Sequence, residues 1–283
     1  MKIDLHMHTT VSDGTDAPEA IIPKIKAACI DMFAVTDHDA IKGCSIVKEY
    51  LEAGDPFFVS GIEFSCKDQF GKYHILGYGY DSSAAAIGKM VNKSHSLRME
   101  KLGKRLKLLK EKFDISFSEE DLADLYANNN PGKPHIANLM IKYHYAGTKK
   151  EAFSDFLNRV DIPDMFILPQ EAIEAILRSG GIPILAHPFY GSGDELIVGE
   201  EMEKRLERMM DLGIQGVEGF YSGFSPLMLK EILGLAAKYN LYLTAGSDYH
   251  GSNKMISLGD NCLHDTDEAP EGLYRFLRDV PRR

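Results

Sequence analysis

The sequence predicts an α/β protein: a closed, barrel-like sheet interrupted by a block of helices. Three observations carry this. Strand-length apolar runs alternate with helix-length amphipathic stretches over residues 3–78 and again from 170 onward, the pattern of βαβ units. About seven such units occur without an internal repeat, which suggests a sheet that closes on itself. Between residues 82 and 161 the alternation stops and the chain becomes helical and charged. The expected division is therefore a first barrel part (1–81), a helical insertion that caps the substrate (82–161) and a second barrel part (162–283).

Residues 3–8 form the first expected strand. Residues 17–28 form a helix, with Asp16 placed to cap it and Pro18 suited to its first turn. A buried strand over 32–36 ends in Asp37-His38-Asp39, and a helix covers 41–52. A strand over 56–60 leads into Gly61-Ile62-Glu63-Phe64, and a fourth covers 72–78. In the insertion, 89–112 is one long amphipathic helix, Ser118 caps the next, Asn128-Asn129-Asn130-Pro131-Gly132 is a loop, and 134–145 and 149–158 are helices. A helix over 170–178 stops at Gly180-Gly181, and the strand over 182–186 carries His187-Pro188 at its tip. Helices over 200–212 and 226–239 flank a strand over 216–220. The last strand, 241–245, ends in Gly246-Ser247-Asp248-Tyr249-His250, and a short helix over 271–278 closes the chain.

The 283 residues are 44% hydrophobic and 26% charged, as in ordinary water-soluble domains. The net charge of -10 disfavours long nucleic acid as a partner, because an acidic surface repels a phosphate backbone. A metal-lined pocket for one phosphate is compatible with it. Cys29, Cys44, Cys66 and Cys262 are scattered and read as free thiols in a reducing cytosol. No apolar run reaches the roughly 20 residues of a membrane span, and no secretory signal is seen. A cytoplasmic protein without membrane partner is expected, and the sequence carries no signal for an oligomeric state.

Side chains two apart on a strand point the same way, so His6 and His8 project together. Alone, they fit either one corner of a metal site or two surface histidines on an edge strand. His38, Glu63, His187, Asp248 and His250 share their address, at or just past strand C-terminal ends. His74 lies within its strand and Asp13 in the turn after the first. Such ends converge on one face of a (β/α) barrel, where active sites form. Nine nitrogen and oxygen ligands exceed the roughly four to six that one ion takes. Two or three divalent ions sharing a bridging carboxylate fit better, and imidazole with carboxylate suits Mn, Fe or Zn.

The ordered motifs His6-Met7-His8, Thr36-Asp37-His38-Asp39, Gly61-Ile62-Glu63, Leu185-Ala186-His187-Pro188 and Gly246-Ser247-Asp248-Tyr249-His250 resemble the PHP (polymerase and histidinol phosphatase) family. In the insertion, Gly132-Lys133-Pro134-His135 and Glu151-Ala152-Phe153 resemble the PHP phosphoesterases that act on nucleotides, of the nucleoside 3',5'-bisphosphate phosphatase type. The resemblance implies a distorted (β/α)7 barrel with a trinuclear site. His6, His8, Glu63 and Asp248 would hold the first ion, Asp13, His38 and His250 the second, and bridging Glu63 with His74 and His187 the third. Some members have His where this chain has Asp13, which shifts the second position toward Mn or Fe.

The expected activity is phosphoric ester hydrolysis, in which metal-activated hydroxide attacks a small phosphate monoester in line. No Ser or Cys nucleophile is needed, and no side chain is assigned as general acid. A nucleotide such as a nucleoside 3',5'-bisphosphate is the expected substrate. Histidinol phosphatase, a 3'-5' exonuclease on short oligonucleotides and a non-catalytic metal-binding module are the alternatives. Lys133, His135 and Arg159 are candidates for holding a second phosphate or the far end of the substrate, and equally fit ordinary surface charge. Glu218 is a candidate support behind the ligands. His95, His144 and His264 read as surface residues.

Overall fold

Strands buried on both faces read as unbroken apolar runs, and two such runs anchor the sheet. Met32–Val35 and Ile182–Leu185 are buried at every residue. The computed structural model describes residues 1–128, 130–190, 195–264 and 269–282; Asn129, in the expected insertion loop, lies outside them. Seven strands pair in chain order: β1 (Ile3–Asp4), β2 (Met32–Val35), β3 (Phe57–Asp68), β4 (Gly71–Tyr78), β5 (Ile182–Leu185), β6 (Gly216–Tyr221) and β7 (Tyr242–Gly246). β7 then returns to the first strand. Leu5 N–H donates to Ala245 O and Asp248 N–H to His6 O, each at 2.8 Å, and Met7 meets Tyr249 in a parallel bridge. The sheet is thus a nearly closed mixed barrel.

The expectation of parallel units fails at one place. β3 and β4 are joined by a two-residue turn, far too short for a crossover, so β4 runs antiparallel to both β3 and β5. Asp68 Oδ1 closes that turn by accepting from Phe70 N–H (2.8 Å) and Gly71 N–H (3.1 Å). β3 is also longer than expected, and Glu63 lies in its interior rather than at its end.

Helices α1 (Ile21–Ala27) and α2 (Lys42–Tyr50) follow the first two strands. Ile21, Ile22 and Ile25 pack with Phe33, Val35, Cys44 and Val47 in one apolar cluster. Asp16 does not cap α1, which is entered through a 3-10 turn over Pro18–Ala20; its carboxylate pairs instead with Lys24 (2.6 Å) and accepts from Tyr249 OH (2.6 Å).

The described residues form two compact units, Met1–Val91 with Ile167–Arg283, and Asn92–Phe166. Beyond the strands, the first contains α7 (Pro169–Arg178), α8 (Glu200–Asp211), α9 (Pro226–Lys238) and α10 (Glu271–Asp279). The long helix α3 (Ala85–Phe113) starts in the first unit and supplies most of its length to the second. There α4 (Glu119–Ala127), α5 (Lys133–Lys142) and α6 (Lys149–Glu151, continued by a π turn over Ala152–Leu157) surround a core of Leu102, Leu109, Leu125, Ile136, Met140 and Leu157. Ser118 caps α4 by accepting from Asp121 N–H at 3.1 Å. No helix among the described residues is long and apolar enough to cross a membrane.

Candidate metal centre

Glu63 is the hub of the first unit. Its side chain is buried, and five imidazoles surround its carboxylate. Oε2 lies 3.3 Å from His6 Nε2, 3.2 Å from His8 Nε2 and 3.0 Å from His38 Nδ1. Oε1 lies 2.9 Å from His74 Nδ1 and 3.2 Å from His187 Nε2. The antiparallel β4 explains His74: it pairs with Ser65, two residues from Glu63, and so shares Glu63's face of the sheet. His187 follows β5 by two residues, and Ala186 N–H donates to His74 O at 3.0 Å, which sets the two rings side by side.

Two further carboxylates flank the hub. Asp248 Oδ1 lies 3.5, 3.4 and 3.4 Å from His6, His8 and His250. Asp13 Oδ1 lies 3.3 Å from His250 Nε2 and 3.7 Å from His8 Nδ1, and its Oδ2 lies 4.0 Å from His38 Nε2. All nine residues singled out in the sequence therefore meet in one cluster. Three of its donor groups have the compactness a cation needs: His8, Asp13, His38 and His250; His6, His8 and Asp248; and His38, Glu63 and His74.

Buried polar groups behind the cluster hold it. Asp37 accepts from Thr9 N–H (2.7 Å), Thr9 OH (2.8 Å) and Ser12 OH (2.8 Å), and Ser12 Oγ lies 3.3 Å from His8 Nδ1. Asp4 accepts from Ser247 N–H (2.9 Å), Ser247 OH (2.6 Å) and Gly259 N–H (2.7 Å), tying the first strand to the Asp248 turn. Glu218 reaches His6 Nδ1 and the His187 backbone N–H. Asp248 and His187 sit at positive φ, 58° and 26°, backbone strain that the surrounding hydrogen bonds sustain. Gly246 is required by space, since a Cβ there would lie 2.2 Å from His6 Cβ.

The electrostatics follow from crowding. Burial raises the Glu63 carboxyl, but His38, His74 and His6 overrule it and hold it well below the usual range. Asp248 is likewise depressed: burial opposes, and His6, His8 and Lys254 prevail. Burial disfavours charge on His8, yet Asp248 and Glu63 push its pKa up to about 9. Burial instead lowers the pKa of His38 and of His250, so without a cation the positive charge concentrates on the inner histidines such as His8.

The donor set fits divalent ions. His6 Nε2, His8 Nε2, Asp13 Oδ1 and Glu63 Oε2 are buried and make no hydrogen bond of proper geometry, although they lie close to one another. Lone pairs aimed at a common point, not at each other's protons, give that arrangement. Neutral imidazole and carboxylate are the ligands Mn, Fe and Zn accept.

A cavity of about 230 Å³ opens on the cluster, and Tyr190, Tyr221 and Lys254 join the histidines in its wall. Sequence reading missed these three. Tyr221 OH donates to Asp248 Oδ2 at 2.9 Å, and Lys254 Nζ lies 2.5 Å from the same oxygen. Lys133, His135 and Arg159 lie in the second unit. Lys133 Nζ donates to Asn158 Oδ1 (2.7 Å), His135 Nδ1 accepts from Gly132 N–H (3.2 Å), and Arg159 O accepts from Lys112 (3.0 Å).

No family model matches the chain. A solved structure named as a metal-dependent phosphoesterase from Bifidobacterium adolescentis superposes with a TM-score of 0.82 at 26% identity, covering 98% of this chain and 96% of that one. A phosphoribosyl 1,2-cyclic phosphate 1,2-diphosphodiesterase from Eggerthella lenta is 26% identical over 258 residues, 88% of this chain and 94% of its own. The chain is a PHP-like metal-dependent phosphoesterase. Other relatives of this PHP-like enzyme act on nucleotides or RNA. A 3',5'-nucleoside bisphosphate phosphatase from Chromobacterium violaceum is 24% identical over 99% of this chain and 97% of its own. The 5'-3' exoribonuclease Rnm from Salmonella typhimurium is 25% identical over 90% and 87%.

Proposed function

We propose that this phosphoesterase removes a phosphate from a small monoester, with a nucleoside 3',5'-bisphosphate as the best candidate, using two or three divalent ions, Mn first among them. The observation that carries the reading is the cluster itself: three carboxylates and six imidazoles converging around Glu63 beside a cavity. In the proposed assignment His6, His8, Glu63 and Asp248 hold one ion, Asp13, His38 and His250 a second, and Glu63, His74 and His187 a third. Bound ions supply an activated water as nucleophile and Lewis-acid contacts for the phosphoryl oxygens.

The chain's residues do the rest. Only three of the nine donors are anionic, so a fully loaded site has a surplus of positive charge and draws a phosphate dianion despite the chain's net charge of -10. Burial and the neighbouring Asp248 raise the Tyr221 phenol, which keeps its proton and orients Asp248 by donating to Oδ2. Lys254, more than a third exposed, turns from Asp248 to a phosphate oxygen.

The exoribonuclease relatives favour a second reading, attack on short oligoribonucleotides. A panel separates the two. Mn-loaded protein is given a nucleoside 3',5'-bisphosphate, histidinol phosphate, a cyclic phosphate and an end-labelled RNA tetramer. Fastest phosphate release from the bisphosphate is expected. Faster shortening of the tetramer would favour the second reading, and no turnover of any compound would contradict both.

A further inference from the structure

We infer that Glu218 sets the tautomer of His6, and thereby decides whether that imidazole can face a cation. The inference rests on the metal-site reading above. Glu218 is fully buried on β6, and each of its oxygens serves a different residue of the cluster. Oε1 lies 2.9 Å from His6 Nδ1, and Oε2 accepts the His187 backbone N–H at 2.7 Å. The pairing of β6 with β7 shifts register between Glu218 and Phe220, and a Cβ on Gly246 would lie 2.6 Å from Oε1. The backbone is thus irregular and bare where this carboxylate passes.

A neutral imidazole carries one ring proton, and a carboxylate only accepts. Glu218 therefore holds the His6 proton on Nδ1. Nε2 is left with a free lone pair, directed at the space between Glu63 and Asp248, 3.3 and 3.5 Å away. The same residue fixes the His187 turn through its backbone. Glu218 is a positioning residue for two ligands at once.

Glu218→Gln is the revealing substitution, because it preserves shape and reverses one hydrogen bond. The His187 N–H can only donate, so the glutamine oxygen stays on it. The glutamine NH2 then faces His6 Nδ1 and donates, which forces the ring proton onto Nε2, the nitrogen a cation needs. A merely structural role predicts no such change.

Wild type and Glu218→Gln, stripped with a chelator, are titrated with Mn(II), and free Mn(II) is read by electron paramagnetic resonance. The variant is expected to lose affinity by about 10- to 100-fold at one position. Wild-type affinity in the folded variant would overturn the role of Glu218 and leave the metal reading intact. Failure of wild type to bind Mn(II) would overturn both. A second measurement stands without any variant: long-range ¹H–¹⁵N spectra of the zinc-loaded wild-type protein. The His6 ring proton is expected on Nδ1, with Nε2 shifted by the metal. A proton on Nε2, or zinc on Nδ1, would overturn the inference.

Discussion

Lys254 Nζ and Asp248 Oδ2 lie 2.5 Å apart, while the other oxygen of Asp248 faces His6 and His8. One carboxylate thus joins the cluster to a partly exposed cation at the cavity wall. Lys254→Met should leave metal content unchanged, because Tyr221 still holds Oδ2. It should lower kcat/KM for a phosphate ester, mainly through KM. The loss of one charge-assisted hydrogen bond, about 1.5–3 kcal/mol, corresponds to roughly 10- to 100-fold. Steady-state kinetics with matched metal analysis checks this, and an unchanged KM would remove Lys254 from substrate binding.

Gly43→Ala should reach the site from outside it. A Cβ there would lie 2.0 Å from Asp37 Oδ2 and 3.3 Å from Thr9 Oγ1. Asp37 would have to leave Thr9 and Ser12, and each buried hydrogen bond left unmade costs about 1–3 kcal/mol. A lower unfolding temperature and weaker Mn(II) binding are expected together. Loss of stability with intact metal affinity would show that Asp37 supports the fold alone.

Two glycines should respond in opposite directions. Gly246→Ala places a methyl against His6 and Glu218 and should destabilise the protein strongly. Gly234 lies inside α9, and a methyl added there would meet nothing within 4 Å, so Gly234→Ala should stabilise by up to about 1 kcal/mol through helix propensity. Denaturant titration of both variants checks the contrast.

Metal and protons should compete. In the metal-free fold the His8 pKa is raised to about 9, against the opposition of burial, by Asp248 and Glu63. Its protonation stabilises that fold below an unfolded pKa of about 6.5, and this stabilisation is lost as pH rises toward 9. Metal binding runs the other way, because ligands must shed protons. The rise in unfolding temperature on adding Mn(II) should therefore grow from pH 6 to pH 8. A rise independent of pH would mean that the metal displaces no protons from these imidazoles.

Much of this arrangement was legible in the sequence, and the exceptions have physical causes. Period-two geometry placed His6 and His8 together, the strand-end motifs gathered His38, Glu63, His187, Asp248 and His250, and Asp13 and His74 were added from the first turn and from within the fourth strand. The direction of β4 was not legible, because the Asp68–Gly71 turn looks like any polar loop until Asp68 is seen closing it. Glu63 was expected just past a strand over 56–60, but the strand continues through it to Asp68. Asp16 has capping chemistry but spends it on Lys24 and Tyr249. Asp4, Asp37, Tyr221 and Lys254 reach the cluster through tertiary contacts that no local period encodes.

Glu63 is proposed to organise, through its one carboxylate, a site for several ions. Elemental analysis of Mn-loaded wild type and Glu63→Gln, each with its circular dichroism recorded, decides the point. Two or three ions per wild-type chain, and at most one in a folded Glu63→Gln, are expected. Equal metal content in the two proteins would contradict the account.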